Sequence, residues 1–306
     1  MFASRLRSVA LMAVTCCLGA AGNECTPSSA EPTEEGWTLL SGPDAAKYWG
    51  AGYGKPFPRA GWKIDGVCLI LDNPVLAPSL FSKELLRDFE LAFEWKIEPG
   101  VNSGVKYGCV PGVRHPQAQY VVGIRAGIAG VFLLLTAAVA LWVRSRRWVF
   151  QKQAPFWAGA VVSCLLASMT IGAAIGALSI YLEAANFPAG LEYQIIDRSH
   201  PDATSNPTHR TAALYDLLPA PAAQPKPAGQ FNQARIRVSG DQVEHWLNGL
   251  KVLEYRLGSS ELRAAISASK FHAVSSLAEK TEGLLELQNH GGRVYFRNLR
   301  AKRLPQ

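Results

Sequence analysis

The segment Phe89-Glu90-Leu91-Ala92-Phe93-Glu94-Trp95-Lys96-Ile97 alternates with period two. Phe89, Leu91, Phe93, Trp95 and Ile97 fall on one side, and Glu90, Glu94 and Lys96 on the other. Successive side chains of a strand point to opposite faces, so the segment is predicted to be a strand with one dry face. A sheet made of such strands has to cover that face with a second layer. Leu191 to Ile196 repeats the device, with Leu191, Tyr193 and Ile195 inward and Glu192 and Gln194 on an open polar face. Asn248-Gly249 joins Val243–Leu247 to Leu250–Tyr255, and both turn residues tolerate the positive φ of a type I′ hairpin. Shorter strands are expected at Gly66–Leu71, Ala234–Val238, Leu284–Leu287 and Arg293–Arg297. Pro219, Pro221, Pro225 and Pro227 cannot donate to a ladder, which makes the stretch from Leu218 to Gly229 an exposed loop. Helical periodicity in this body is limited to a turn or two at Ser259–Ala265. The pattern predicts an all-β sandwich.

Two long apolar runs interrupt it. Ala126 to Val143 carries no charge, and a helix of that length reaches roughly 27 Å, close to the hydrocarbon thickness of a bilayer. Gln153 to Leu182 is also uncharged, with Phe156 and Trp157 at one end and Tyr181 at the other, as interfacial aromatics are placed. Arg144, Arg146, Arg147 and Lys152 lie between the runs and mark a cytoplasmic loop. The expectation is a transmembrane hairpin that meets the lipid bilayer through residues 126–143 and 156–182, its small residues Gly172, Ala173, Ala174, Gly176 and Ala177 allowing close helix packing. Residues 1–22 read as a secretory leader: Arg5 and Arg7, an apolar stretch from Val9 to Leu18, then Gly19-Ala20-Ala21-Gly22. Cys16 and Cys17 bring a lipidated N-terminus into view, although Val14-Thr15-Cys16 lacks the small residue expected before a lipidated cysteine. Both signals place the sandwich on the external or periplasmic side of the cell membrane. The chain thus divides into the leader, a first part of the sandwich at 33–121, the hairpin insertion at 122–183 and a second part at 184–306.

Arg5, Arg7 and the five cations flanking the apolar runs (Arg125, Arg144, Arg146, Arg147, Lys152) account for the whole net charge of +7. The remainder is balanced and has no basic stripe with interleaved aromatics, which argues against nucleic acid as a partner. Cys25, Cys68, Cys109 and Cys164 lack the spacing of a zinc site or a disulfide framework. Cys68 and Cys109 are either a bridge or two half-buried thiols.

Several phrases occur together and in order: Gly36-Trp37-Thr38-Leu39-Leu40-Ser41-Gly42, the Phe89–Ile97 strand, Asn102-Ser103-Gly104-Val105, Gly190-Leu191-Glu192-Tyr193-Gln194-Ile195-Ile196-Asp197, His245-Trp246-Leu247-Asn248-Gly249, Leu287-Gln288-Asn289-His290-Gly291 and Phe296-Arg297-Asn298-Leu299. The set resembles the 3-keto-disaccharide hydrolase domain family, also described as a 3-keto-glucoside 1,2-lyase/hydratase domain, over about residues 36–121 and 190–304. The resemblance implies a concanavalin-like jelly-roll sandwich and a carbohydrate partner oxidised at C3, a 3-keto glycoside. Members of the family run from the Asn-Ser-Gly strand to the Gly-Leu-Glu-Tyr-Gln strand through a short connection, whereas here the apolar runs intervene.

Such chemistry needs a base for the C2 proton and a stabiliser for the enolate. Glu192 is the first candidate, beside Gln194 on the polar face and followed by Asp197 at the strand end; His290 and His245 are candidate proton carriers. Asn102, Gln288, Lys270 and Arg297 are candidate donors to hydroxyls or to the oxyanion, and Trp246 a candidate stacking platform. The residues identify no cofactor with certainty, and a divalent cation near Glu192 and Asp197 is compatible with them, although no metal-spaced cluster demands it. Ordinary structural roles compete with each assignment. Glu192 can be a solvated face, His245 a packed and hydrogen-bonded ring in register with Val243 and Leu247, Trp246 a core residue, Arg297 and Asn298 ties between strand ends, and Glu94 a partner for Lys96. A non-catalytic carbohydrate-binding module and a structural membrane protein that presents an interaction domain are the rival functions.

Overall fold

The computed structural model describes residue 25, residues 35–110, residues 130 and 137, residues 189–279 and residues 282–305. The leader and, apart from the helical Gly130 and Ala137, the expected membrane hairpin lie outside the described residues. Among the described residues no helix is long and apolar enough to cross a membrane.

What is described is a sandwich of two antiparallel sheets. The larger contains β1 (Trp37–Leu39), β3 (Trp62–Asp65), β4 (Cys68–Leu71), β6 (Phe89–Ile97), β9 (Asn232–Ser239), β10 (Gln242–Leu247), β11 (Leu250–Arg256) and β13 (Val294–Arg303). Its order is β11-β10-β9-β6-β13-β4-β3, and β1 also pairs with β13. The smaller contains β2 (Trp49–Gly50), β5 (Leu80–Ser82), β7 (Asn102–Cys109), β8 (Leu191–Ile196) and β12 (Leu284–Leu287), in the order β2-β5-β12-β7-β8. Among the described residues helix is sparse: α1 (Ala45–Tyr48), α2 (Pro201–Ser205), α3 (Ser260–Ala268) and two short 3-10 turns.

The alternation of β6 survives folding, with its five apolar residues buried against the second sheet. Phe93 meets Tyr193 of β8 edge-on at 5.8 Å between ring centroids, and Phe89 meets Tyr107 of β7 at 6.4 Å, so aromatic contacts stitch the two layers together. The Asn248-Gly249 turn has φ values of 50° and 84°, the left-handed pair expected of a type I′ hairpin between β10 and β11. β13 runs longer than expected, through Arg303, because a bulge centred on Asn298 (φ 49°) lets it continue along β6.

His245 is fully buried between the sheets. Its Nδ1 donates to the Ala212 carbonyl (2.9 Å) and its Nε2 faces the Tyr107 hydroxyl (2.7 Å), which in turn meets the Tyr255 hydroxyl (2.6 Å). Burial pulls the ring down to about 4, so it is a neutral, packed histidine rather than a proton carrier at the surface.

The cysteine pairing differs from both sequence alternatives. Cys68 is bridged to Cys25, and Cys109 is a buried free thiol. Cys68 and Cys109 sit on strands of different sheets, whereas Cys25 itself lies against the β3–β4 turn, with the Val67 amide donating to the Cys25 carbonyl (3.2 Å).

β7 and β8 are direct neighbours, in register from Asn102↔Ile196 to Tyr107↔Leu191. Whatever the long stretch between them does, its two ends leave the sheet side by side, which is why a large insertion there is compatible with the sandwich.

Candidate active site

β12, β7 and β8 lie next to one another in the smaller sheet, and their outward residues form a polar floor. The register places Glu286 opposite Lys106 and Lys106 opposite Glu192, a carboxylate–ammonium–carboxylate row across three strands. One step along, Gln288, Gly104 and Gln194 form a second row, the Gln288 amide donating to the Gly104 carbonyl (3.0 Å) and Gly104 pairing with Gln194. In a single half-covered sheet these side chains would be solvated. Here Glu192 is only 5% exposed, Lys106 4% and Glu286 0%, which corrects the expectation that β8 has an open polar face. Residues 211–215 cause part of this by doubling back along the outer edge of β8. The Gln194 amide donates to Ala213, the Ala212 amide to Gln194 and the Tyr215 amide to Glu192.

Gly104 makes the room for Glu192. A Cβ at that position would stand 2.5 Å from Glu192 Oε1 and 2.9 Å from Gln288 Oε1, so the carboxylate occupies space that any other residue would fill. With the Gln288 amide oriented to satisfy its neighbours, its nitrogen donates to Glu192 Oε1 (3.0 Å) and its oxygen accepts from Lys106 Nζ (3.1 Å) and from His290 Nε2 (2.7 Å). Lys106 Nζ also lies 3.3 Å from Glu286 Oε2. That contact is an ion pair without hydrogen-bond alignment, and neither Glu286 oxygen has a hydrogen-bond partner among the described residues.

Burial pushes the Glu192 carboxyl up to about 7, with Lys106 opposing the shift and Glu286 adding to it. Burial pulls Lys106 down, but the two carboxylates beside it more than compensate and leave it above the usual lysine value. Lys106 is therefore a fixed cation, while Glu192 is poised to exchange a proton near neutrality.

The walls come from loops. Lys270, just after α3, holds its ammonium 4.1 Å from the centroid of the Tyr215 ring, and its amide donates to Asp216 Oδ2 (3.2 Å). Burial lowers Lys270 below its ordinary value against the pull of Asp216 and Glu192. His209 stacks near Tyr215 (4.7 Å) and is held at both ring nitrogens, by Asp202 (2.8 Å) and Asp216 (3.0 Å). His290 is exposed at its surface, yet its ring is closely surrounded by protein. Desolvation by the walls, then the charges of Lys106 and Lys270, pull it down to about 4. Among the described residues no group of three or more His, Cys, Asp and Glu side chains is arranged to hold a metal ion.

Of the residues singled out in the sequence, Glu192, Gln194, Gln288 and Asn102 share this floor, and Lys270 and His290 border it. Asp197 does not join them. Its Oδ2 accepts from the Gly100 amide (2.7 Å) and the Ser199 hydroxyl (2.6 Å), which holds the carboxyl below its ordinary value and ties the β6–β7 turn to the end of β8. Trp246 and Arg297 lie on the outer face of the other sheet. The Trp246 indole donates to Glu244 (2.9 Å) under the Arg235 guanidinium, and Arg297 pairs with Glu94 (2.8 Å), which Asn298 also reaches (2.8 Å). Lys106, Glu286, Gly104 and Tyr215 were not anticipated. The signal for two of them was present: Leu284-Leu285-Glu286-Leu287 sets a carboxylate among leucines, and Lys106 follows Val105 in a strand otherwise free of charge.

Residues 168–302 match the model of the 3-keto-alpha-glucoside-1,2-lyase-like domain family. Over those residues the chain is similar to this family. The match takes in β8, β12 and the loops carrying Tyr215, Lys270 and His290. A 3-keto-disaccharide hydrolase from Bacteroides thetaiotaomicron is 38% identical over 124 residues, 36% of this chain and 43% of that protein. The chain thus spans less than half the length of this curated relative in the match. Two crystal structures of candidate glycosyl hydrolases from Parabacteroides distasonis share the fold. One has a TM-score of 0.57 at 20% identity, covering 89% of this chain and 95% of that one. The other has a TM-score of 0.50 at 18% identity, covering 88% and 99%. The family's sandwich expectation is met by the two stacked sheets.

Proposed function

We propose that this protein is an exported enzyme that cleaves 3-keto glycosides by 1,2-elimination followed by hydration. The observation that carries the reading is Glu192, a buried carboxyl of the polar floor whose ionisation falls near neutrality, where a general base works best. The family and the name of the Bacteroides thetaiotaomicron relative supply the substrate class.

A ketone at C3 acidifies the hydrogen on C2. Glu192 takes that proton, its C–H pair becomes the C1–C2 double bond, and the C1–O bond breaks. The Lys270 ammonium, on the wall beside Glu192, meets the negative charge that builds on the C3 oxygen. Water then adds at C1 and Glu192 returns its proton to C2. The departing alkoxide takes its proton from solvent, and His290, neutral at physiological pH, accepts the proton that the attacking water loses and returns it to solvent, so the two balance. Asn102, Gln194 and Gln288 are placed to orient hydroxyls. The Cys25–Cys68 bridge and the leader-like N-terminus favour an oxidising compartment outside the cytoplasm.

The test is product formation from a 3-keto glucoside by the purified protein; sugar binding without turnover would favour the binding-module reading instead. Turnover should rise with pH along a limb centred near 7, because the base form of Glu192 appears there. Stability should move the other way. The folded carboxyl keeps its proton to about 7 and the unfolded one to about its ordinary 4.5, so the contribution of the neutral form is complete below 4.5 and lost as pH climbs through 7. Thermal melts at pH 5 and pH 8 measure this directly.

Gly104→Ala should separate the site from the fold. The added methyl meets flexible side-chain ends rather than backbone, so the melting temperature should change little. Displacing the Glu192 carboxylate by about 1 Å should cost on the order of 10²-fold in kcat, and an alanine variant with parental kcat would show that the position of this carboxylate is immaterial.

A further inference from the structure

Glu286, like Lys106, has no place in the chemistry above, yet it is completely buried and its oxygens lack hydrogen-bond partners among the described residues. A carboxylate is not kept in such a place by solvation, and the cation beside it, Lys106, is shared with Glu192. We propose that Lys106 and Glu286 are positioning residues acting as a coupled pair on Glu192: the ammonium draws that carboxyl toward its ionised form, and the second carboxylate divides the ammonium's pull. This inference rests on the reading of Glu192 as the base.

Three observations converge on it. The three charges occupy directly paired positions on adjacent strands, so the backbone itself fixes their order with the lysine in the middle. The Gln288 amide bridges Lys106 to Glu192 through contacts of 3.1 and 3.0 Å, which couples the two without water. The absence of a side chain at Gly104 lets the Glu192 carboxylate lie down beside that amide. The other charged or titratable groups near Glu192 are Lys270 from the segment after α3, Tyr215 from the edge of β8, His290 beyond Gln288 and the Cys109 thiol of β7, which burial pushes up and keeps neutral. None of these four belongs to the row, so changing Glu286 alters the share of Lys106 available to Glu192 and leaves the walls in place. Lys106, held above its ordinary value, stays charged while Glu192 titrates.

The sign of the effect separates this arrangement from mere packing. Glu286→Gln keeps the size of the side chain and frees Lys106 to act on Glu192 alone, so Glu192 should ionise about one pH unit lower. Lys106→Met removes the cation and should move the ionisation up by at least as much. Lys106→Arg keeps the charge and should return it toward the parental value. The readout is the Glu192 side-chain carboxyl signal followed by carbon NMR across pH 4 to 10, assigned by its loss in Glu192→Gln, together with the acid limb of the pH–turnover profile. Opposite displacements in Glu286→Gln and Lys106→Met support the proposal. Displacements of the same sign, or none in Glu286→Gln, overturn it. The NMR titration needs no turnover, so it decides between the pair and its absence even when Glu192→Gln proves active and the reading of Glu192 as base has failed. Should Lys106→Met not fold, Glu286→Gln and Lys106→Arg still carry the test.

Discussion

Glu192→Gln is expected to lower kcat on a 3-keto glucoside by about 10²–10⁴-fold, the usual contribution of a positioned general base. The substitution keeps the shape of the side chain and its contact with the Gln288 amide, while removing the group able to accept the C2 proton. KM should change far less than kcat, because the proposed hydroxyl-binding residues Asn102, Gln194 and Gln288 are unchanged. The acid limb near pH 7 should vanish from the residual activity. Above pH 7 the variant should melt no lower than the parent, since it no longer carries the cost of desolvating a carboxylate, and Lys106 retains Glu286 as its partner. A variant that keeps parental kcat would remove Glu192 from the chemistry. One that loses activity together with its cooperative melt would show that the carboxylate holds the sheet together instead.

Phe93→Ala should have the largest effect on stability, about 3–5 kcal/mol, the range for emptying an aromatic position in a core. Phe93 is 2% exposed and projects from the middle of β6 into the space between the sheets, where it meets Tyr193 at 5.8 Å and Phe296 at 6.3 Å. Tyr193 is the immediate neighbour of Glu192 in β8, and its hydroxyl donates to the Trp246 carbonyl of the opposite sheet (3.1 Å). A cavity at Phe93 therefore loosens the strand that carries the proposed base. Denaturant unfolding measures the loss, and a cost below about 1 kcal/mol would mean that the two sheets close over the gap. In folded protein at low temperature the variant should show reduced kcat, because a misplacement of about 1 Å is enough to cost activity.

The strands were the legible part of the chain. Phe89–Ile97 and Leu191–Ile196 have the bounds that alternation assigns them, Leu284–Leu287 those expected of a further short strand, and the Asn-Gly turn has the positive φ values its residues favour. These features are set by residues within a few positions of one another, and the steric rules that govern them act locally. Glu192 and Gln288 were legible as candidates, and so were Lys270 and His290. Their burial was not, since a period-two pattern reports which face a residue is on and cannot report what covers that face. The same limit explains Trp246 and Arg297, which look like sugar contacts in one dimension and belong to the outer face of the other sheet.

The all-β class of the described residues follows from the amino acids in order, because hydrophobic periodicity and turn chemistry are short-range properties. The row Glu286–Lys106–Glu192 follows from nothing local. Its members come from three strands far apart in the chain, and only hydrogen-bonded register brings them opposite one another. Their proton affinities are then set by desolvation and by charges a few ångströms away, both properties of the assembled sheet and its covering loops. The pairing of Cys68 with Cys25 rather than Cys109 has the same origin: two thiols bridge when the fold brings their backbones together, and β4 and β7 lie in different layers.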